Sequence, residues 1–315
     1  MKVGLVLPLF SGDAPRVLSF AKRAEELGYD GVFAFDHFFP PGAARDRPSL
    51  EAFATLAAVA AVTSRVAVGT LVTRAQLRPA GLLAKTAANI DLLSGGRMIL
   101  GLGTGDPIDD PEHRGFGIPS MGKADRRAHL AETVQAVKGL FRGEPWAGGA
   151  HVPAMGGPML PPPAVAGGPP VWLGGQADEV VRLAGRLADG WNGWGLEPAH
   201  LARKAAILRE AAAGREVEPE PTWAGIALVG RDEEDAEELL HARRTRGMPD
   251  TGIFVGGAEA FADYLRRIEE AGARWAILVP AGPPDRVELI AETVLAGERR
   301  ADAAALPPAG ADRKS

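Results

Sequence analysis

Residues 98–106 read MILGLGTGD. The stretch is apolar or glycine through Gly103 and then breaks into threonine, glycine and a carboxylate. A run this short, without polar alternation, reads as a strand buried on both faces. The pattern recurs three times: Gly31–Asp36 (GVFAFD, followed by His37), Val66–Val72 (VAVGTLV) and Val171–Gly175 (VWLGG). In each, the glycine and polar residues gather at the C-terminal end, and a helix-like segment follows. In a parallel barrel all those ends lie on one face, the face where chemistry is built.

Working outward, the alternation of strand and helix runs through the chain. Lys2–Pro8 is the first strand, and Ala14–Leu27 an amphipathic helix stopped by Gly28. Helix Leu50–Val62 follows strand Gly31–Asp36; helix Pro79–Leu93, with proline in its first turn, follows strand Val66–Val72. After strand Met98–Gly103 come a long loop and helix Lys123–Phe141. Strands Val171–Leu173, Gly190–Trp194, Pro221–Val229 and Trp275–Val279 alternate with helices Asp178–Leu187, Pro198–Ala213, Asp232–Arg246, Ala258–Ala271 and Asp285–Ala296. Eight strand–helix units predict a single (β/α)8 TIM barrel with insertions over residues 1–297. A doubly wound sheet is the alternative, but it needs one switch point, and the polar strand ends are spread over at least four strands. Residues 298–315 are polar and Ala/Pro-rich and read as a disordered tail. The Gly/Pro-rich stretch 144–170 is either a functional loop, such as a lid, or a passive surface excursion.

Composition narrows the partners. The 315-residue chain is 46% hydrophobic, carries a formal net charge of −5 and has no cysteine. No basic block exists to hold nucleic acid or an anionic membrane. Disulfides, thiolate metal sites and a cysteine nucleophile are excluded. No run approaches the roughly 18 apolar residues of a membrane span, and MKVGLVLPLF at the start reads as a strand rather than a leader. A cytoplasmic protein acting on a small molecule is expected.

The strand ends supply the candidate chemistry. Asp36-His37 sets a carboxylate beside an imidazole, which holds a polar ligand and moves protons near neutrality, or else caps a loop and lies exposed. Gly69-Thr70-Leu71-Val72 lets backbone approach a ligand or marks a bulge. In Gly101-Leu102-Gly103-Thr104-Gly105-Asp106 alternate glycines leave one side of the strand bare for a flat ring, with the Thr104 hydroxyl and the Asp106 carboxylate beside it. It is not a dinucleotide fingerprint, because Asp stands where the third glycine belongs. Gly174-Gly175-Gln176-Ala177 opens a helix, so its bare amides suit a phosphate or simply make a tight turn. Phosphate in many barrels sits after strands seven and eight, so a site after strand five is a departure. His113 lies in reach of the rim, whereas His129, His151, His200 and His241 are assigned to the surface. No histidine cluster has metal-ligand spacing. The acidic runs Asp109-Asp110 and Glu233-Glu234-Asp235 read as solvated faces or helix-start charges. Phe10, Phe38, Trp194 and Phe254 are candidate pocket walls or core residues.

Taken together, FDHF at 35–38, GTLV at 69–72, LGLGTGD at 100–106, PPVWLGG at 169–175 and RLADGW at 186–191 resemble the bacterial luciferase-like family, and within it the branch that uses the deazaflavin coenzyme F420. The resemblance implies a (β/α)8 barrel binding F420 or FMN at its C-terminal face. It implies cofactor contacts from Asp36, Thr70, Leu71, Val72, Thr104, Gly105, Gly174, Gly175, Gln176 and Ala177, with the last four at the cofactor phosphate. It further implies a cis peptide at Leu71–Val72, His37 exchanging the proton coupled to hydride transfer with Asp36 orienting it or binding cofactor, and Asp106 as a second acid or base. Asp106 stands where the sugar-phosphate enzymes of the branch often carry Glu, one methylene longer. No metal is called for. Three functions follow: an F420-dependent oxidoreductase; an FMN-dependent monooxygenase supplied with reduced flavin by a separate reductase; or a non-catalytic flavin-binding barrel. The family often dimerises through helices on one side of the barrel, and the apolar helix at 50–62 together with the next one makes a homodimer the expectation.

Overall fold

A computed structural model describes residues 1–40, 47–106, 110–248 and 252–295. The expected tail at 298–315 lies outside the described residues. Strand β1 (Lys2–Val6) leads through α1 (Ala14–Leu27) to β2 (Gly31–Ala34) and α2 (Ala52–Val62). Strands β3 (Ala67–Thr70) and β4 (Thr73–Arg74), helix α3 (Ala80–Ser94) and β5 (Met98–Gly103) come next. Then follow α4 (Asp110–Gly115), α5 (Lys123–Phe141), β6 (Val171–Gly174), α6 (Asp178–Leu187), β7 (Gly190–Trp194) and α7 (Pro198–Ala211). The chain continues through β8 (Glu220–Gly230), α8 (Glu233–Thr245), β9 (Ile253–Gly257), α9 (Ala258–Glu270), β10 (Trp275–Ala281) and α10 (Arg286–Ile290).

All the strand pairings are parallel, in the order β1-β2-β3-β5-β6-β7-β8-β10 and back to β1, where Lys2 faces Trp275. The ring of eight is closed, as the strand count predicts, and the doubly wound alternative is ruled out. The helices obey local rules. Asp13 accepts from Arg16 N–H at 3.0 Å to cap α1, and Gly28, at φ 98°, ends it. Between them Val17, Ala21 and Ala24 form the buried stripe.

The lower barrel is packed solid. The Phe33 ring occupies the space left by Gly4, Gly31 and Gly69, where an added Cβ would come within 2.8–3.0 Å of it. Phe33 stacks on Trp172, and Trp275 meets both rings edge-on, at ring-centroid distances of 5.6–5.8 Å. With Val6, Ile99 and Ile277 they plug the interior.

Four features depart from the sequence reading. Strand three is not continuous over 66–72: it stops at Thr70 and resumes at Thr73. Helix α4 stands in the loop after β5. Strand β9 adds to the C-terminal half of β8 outside the ring, pairing Ile226–Gly230 with Ile253–Gly257. Finally, α10 passes into a π-helical turn at Ala291–Leu295. The 144–170 stretch is no lid. It joins the end of α5 to the start of β6, which puts both its ends on the face opposite the rim. Glu132 of α5 accepts from the amides of Ala150, His151 and Val152 at 2.7–2.9 Å. Asp91 of α3 accepts from Val165 N–H at 2.9 Å, and Lys85 donates to the Leu160 carbonyl. The segment is strapped to the outer helices. His129, expected at the surface, is half-buried on α5; burial and then the His151 charge hold its ring below the usual histidine range. Within the acidic run 233–235, Asp235 pairs at 2.9 Å with the buried Arg286 and Glu233 accepts from Gly257 N–H. These two side chains are therefore structural. No helix among the described residues is long and apolar enough to cross a membrane.

Candidate active site

The break in strand three builds the site. The Leu71–Val72 peptide is cis. Beyond it the chain rejoins the sheet, with Thr73 opposite Leu102 and Arg74 opposite Gly103. The displaced Val72 needs space, and three glycines provide it. A Cβ on Gly103 would lie 2.8 Å from Val72 Cγ2, one on Gly174 2.9 Å from the same atom, and one on Gly101 would strike Val72 and the Thr70 carbonyl. The alternate glycines of β5 therefore receive the Val72 side chain rather than a flat ring laid directly on the strand. Thr70 is wholly buried, and its hydroxyl donates to Gly101 O at 2.8 Å and accepts from Gly101 N–H at 2.9 Å. Thr70 and the buried Leu71 secure the bulge, while the half-buried Val72 packs against the plugged interior, the same buried cluster that Phe35 and Trp194 pack against.

Asp36 and His37 diverge, as successive residues leaving a strand must. Asp36 is 2% exposed; its carboxylate accepts from Arg78 at 2.5 Å and from the Thr73 hydroxyl. It does not touch His37, so the orienting role expected of it falls elsewhere. Burial lowers the proton affinity of Arg78, but the Asp36 hydrogen bond and charge, with Glu51 behind them, outweigh this and hold it above the usual arginine value.

Among the described residues His37 pairs with Glu112. His37 Nδ1 lies 3.1 Å from one oxygen of Glu112 and 3.3 Å from the other. Glu112 is 2% exposed on α4 and is bridged at 2.6 Å by Arg74, itself buried. Burial alone would push the Glu112 carboxyl up. The His37 hydrogen bond and charge, the Arg74 charge and the Phe39 amide prevail and hold it below the usual carboxylate range.

Aromatic rings complete one wall. Phe10 stacks on Phe35 at 6.1 Å and stands 6.3 Å from the His37 ring, and Phe35 meets Trp194 edge-on at 5.6 Å. Phe10 and Trp194 are thus at the rim with His37. Phe38 packs on Phe116 at 4.4 Å beside α4, and Phe254 lies on β9 against Phe261 and Tyr264, away from that group.

Opposite, the end of β5 presents Thr104, Gly105 at φ 70° and an exposed Asp106. The turn after β6 carries Gly175 at φ 145°, a backbone that excludes other residues, with its carbonyl fixed by Trp191 Nε1 at 2.8 Å. Gln176 is exposed and donates to Trp194 O, and Ala177 begins α6 with no side-chain cap. The first turn of α6 carries Asp178 and Glu179, and the Glu179 carboxylate accepts from its own amide. Lys204 of α7 reaches the same turn, donating to Gln176 O at 2.6 Å and pairing with Asp178.

Sequence reading missed Thr73, Arg74, Arg78, Glu112 and Lys204. Glu112 meets His37 across 75 positions of chain, and no local pattern encodes that. The nearest signal is a charged residue, Arg74, two places beyond an apolar strand. His113, placed within reach of the rim, is buried on α4. Asp109 lies outside the described residues, as does the side chain of Asp110. No group of three or more potential metal ligands occurs among the described residues.

A closed parallel barrel with its acid–base pair, aromatic wall and helix N-terminus all at the C-terminal rim defines a barrel enzyme. The chain belongs to the luciferase-like monooxygenase family, whose model matches residues 1–306. It is 28% identical over 175 residues to a 5,10-methylenetetrahydromethanopterin reductase of Methanolobus tindarius, a match covering 56% of this chain and 48% of the reductase. The chain thus spans about half the length of that relative. Its fold superposes on an F420-dependent secondary alcohol dehydrogenase in complex with an F420–acetone adduct, at a TM-score of 0.81 and 19% identity over 94% of this chain and 98% of the other. It also superposes on the riboflavin lyase RcaE with modified FMN and riboflavin, at 0.78 and 16% identity over 96% and 92%. Members of the family are oxidoreductases or monooxygenases dependent on F420 or FMN.

Proposed function

We propose that this enzyme transfers a hydride between coenzyme F420 and a small organic molecule at the C-terminal rim. The observation that carries the reading is the Val72 platform in its glycine cradle, packed against the same buried cluster as Phe35 and Trp194, with Phe35 stacked on Phe10 and Phe10 beside His37. The residues suit a ring bearing a phosphate tail: an apolar platform, an aromatic wall, and the glycine turn Gly174-Gly175-Gln176-Ala177 leading into the uncapped start of α6. When bound, F420 supplies the hydride-carrying centre. The chain's own residues then bind, orient and move protons. Val72 supports one face of the ring. Asp36, locked to Arg78 and Thr73, shapes the rim behind it. Thr104 and Gly105 line the β5 side. His37 takes or gives the proton that accompanies hydride transfer, with the exposed Asp106 as a second acid or base.

The motifs of the F420 branch and the reductase relative favour the deazaflavin over FMN. FMN is the second reading, favoured by the likeness to a structure with modified FMN; it makes the protein a monooxygenase fed by a partner reductase. Parallel fluorescence titration of cofactor-free protein with F420 and FMN tests the choice. Binding of F420 at least tenfold tighter is the expected outcome, and preference for FMN overturns the F420 reading. The protein works as a homodimer in this proposal. A groove between α2 and α3, formed by Phe53, Ala57 and Ile90, is flanked by Leu82 and Leu93, 56% and 61% exposed, an apolar surface that a second copy covers.

A further inference from the structure

The Glu112 carboxylate collects donors from three directions. One oxygen accepts from the Phe38 and Phe39 amides at 2.8 and 3.2 Å, the other from Arg74 Nη2 at 2.6 Å, and His37 Nδ1 lies within 3.1–3.3 Å of both. Two amides and a guanidinium would be enough to anchor a loop; the imidazole adds a chemical consequence. Arg74 reaches Glu112 because the Val72 bulge returns the chain to β5 at Thr73 and Arg74. The neighbouring carboxylate, Asp36, is occupied by Arg78 and Thr73 and offers the ring nothing.

An ionised carboxylate only accepts hydrogen bonds, so a ring nitrogen facing it must donate. Nδ1 of His37 therefore keeps its proton in the neutral ring as well as in the imidazolium. Proton exchange is left to Nε2. Free histidine in solution favours the opposite tautomer. We infer that Glu112, bridged by Arg74, is a positioning residue that fixes His37 as the Nδ1–H tautomer and makes Nε2 the nitrogen that exchanges the reaction's proton. The inference deepens the role given to His37 above and rests on it for its catalytic meaning. The same arrangement pins the loop after β2 to α4, so the tautomer and the position of the ring are set together.

Long-range 1H–15N spectra of labelled, cofactor-free protein, at a pH where the ring is neutral, read the tautomer directly, with His37→Gln supplying the assignment. Wild type is expected to show a protonated Nδ1 and an unprotonated Nε2. Glu112→Ala lowers the Nδ1–H to Nε2–H ratio at least fivefold. Glu112→Asp, which keeps a charge opposite Arg74 but draws it back by one methylene, lowers the ratio by a smaller factor and serves if the alanine variant does not fold. A wild-type ring in the Nε2–H form, or a ratio unchanged in the folded variants, overturns the inference. A residue that only anchors the loop leaves the ratio unmoved. Neither F420 nor FMN is present, so a failed cofactor titration and a failed tautomer measurement are separate results.

Discussion

At the residue scale, His37 and Asp36 show how one dipeptide divides its work. The strand geometry turns Asp36 inward to Thr73 and Arg78 and leaves His37 on the rim against Glu112. In the proposed function the chemical step rests on the imidazole. His37→Ala is expected to leave cofactor affinity within about twofold and to lower the rate of the chemical step on the order of a hundredfold; single-turnover kinetics beside a binding titration checks both. An unchanged rate removes His37 from the mechanism. The pair Asp-His was plain in the sequence. The partner that matters to the imidazole was not, because Glu112 arrives from a six-residue helix inside what reads as a loop.

At the scale of elements, the interrupted third strand organises the rim. Its bulge displaces Val72 into space cleared by Gly101, Gly103 and Gly174, which come from two different strands. Gly103→Ala puts a methyl 2.8 Å from Val72 Cγ2 with a strand backbone on either side. The expected cost is about 1–3 kcal/mol of stability, with cofactor affinity falling at least tenfold as the platform shifts. Denaturant unfolding and the fluorescence titration measure the two effects. The glycines were visible in the sequence, but what filled them was a side chain of the same protein. A glycine shows only that something approaches closely, and its identity depends on which strands are neighbours.

At the scale of the whole molecule, several carboxyls are held low by the fold. Burial opposes ionisation of Glu25, but the amides of Val66, Arg65 and Ser64 outweigh it and lower its proton affinity. Glu112 is lowered by His37 and Arg74 against its burial, and Asp235 by Arg231 and then Arg286. A carboxyl lowered on folding stabilises the protein fully above its unfolded value, about 4.3 for Glu. That stability is lost as pH falls through the folded value. The midpoint of thermal unfolding is therefore expected to hold from pH 7 to about 5 and to drop steeply below about 4, with Glu25→Gln shallowing that acid limb; a flat profile contradicts the assignment. The proposed homodimer predicts a sedimentation mass of about twice the 32.9 kDa chain, and replacing both Leu82 and Leu93 by Glu is expected to return it to the monomer.

The sequence by itself determined the barrel. Apolar runs with polar C-terminal ends, separated by amphipathic helices, are local patterns of hydrophobic periodicity, and eight of them leave few ways to bury their faces. It also singled out the strand ends at Asp36-His37, 101–106 and 174–177 as candidates, since clustered glycine and polar residues interrupt the apolar runs there. Strand β9 escaped because IFVGG is as short as many loop segments and joins the sheet outside the ring. The role of residues 144–170 escaped because composition marks a loop but not the face it lies on. Only the tertiary structure joined Glu112 and Arg74 to His37, gave Asp36 to Arg78, and seated Val72 among glycines of two strands. These are contacts between residues far apart in the chain, and charge pairing and close packing act through distance in space, which no local pattern records.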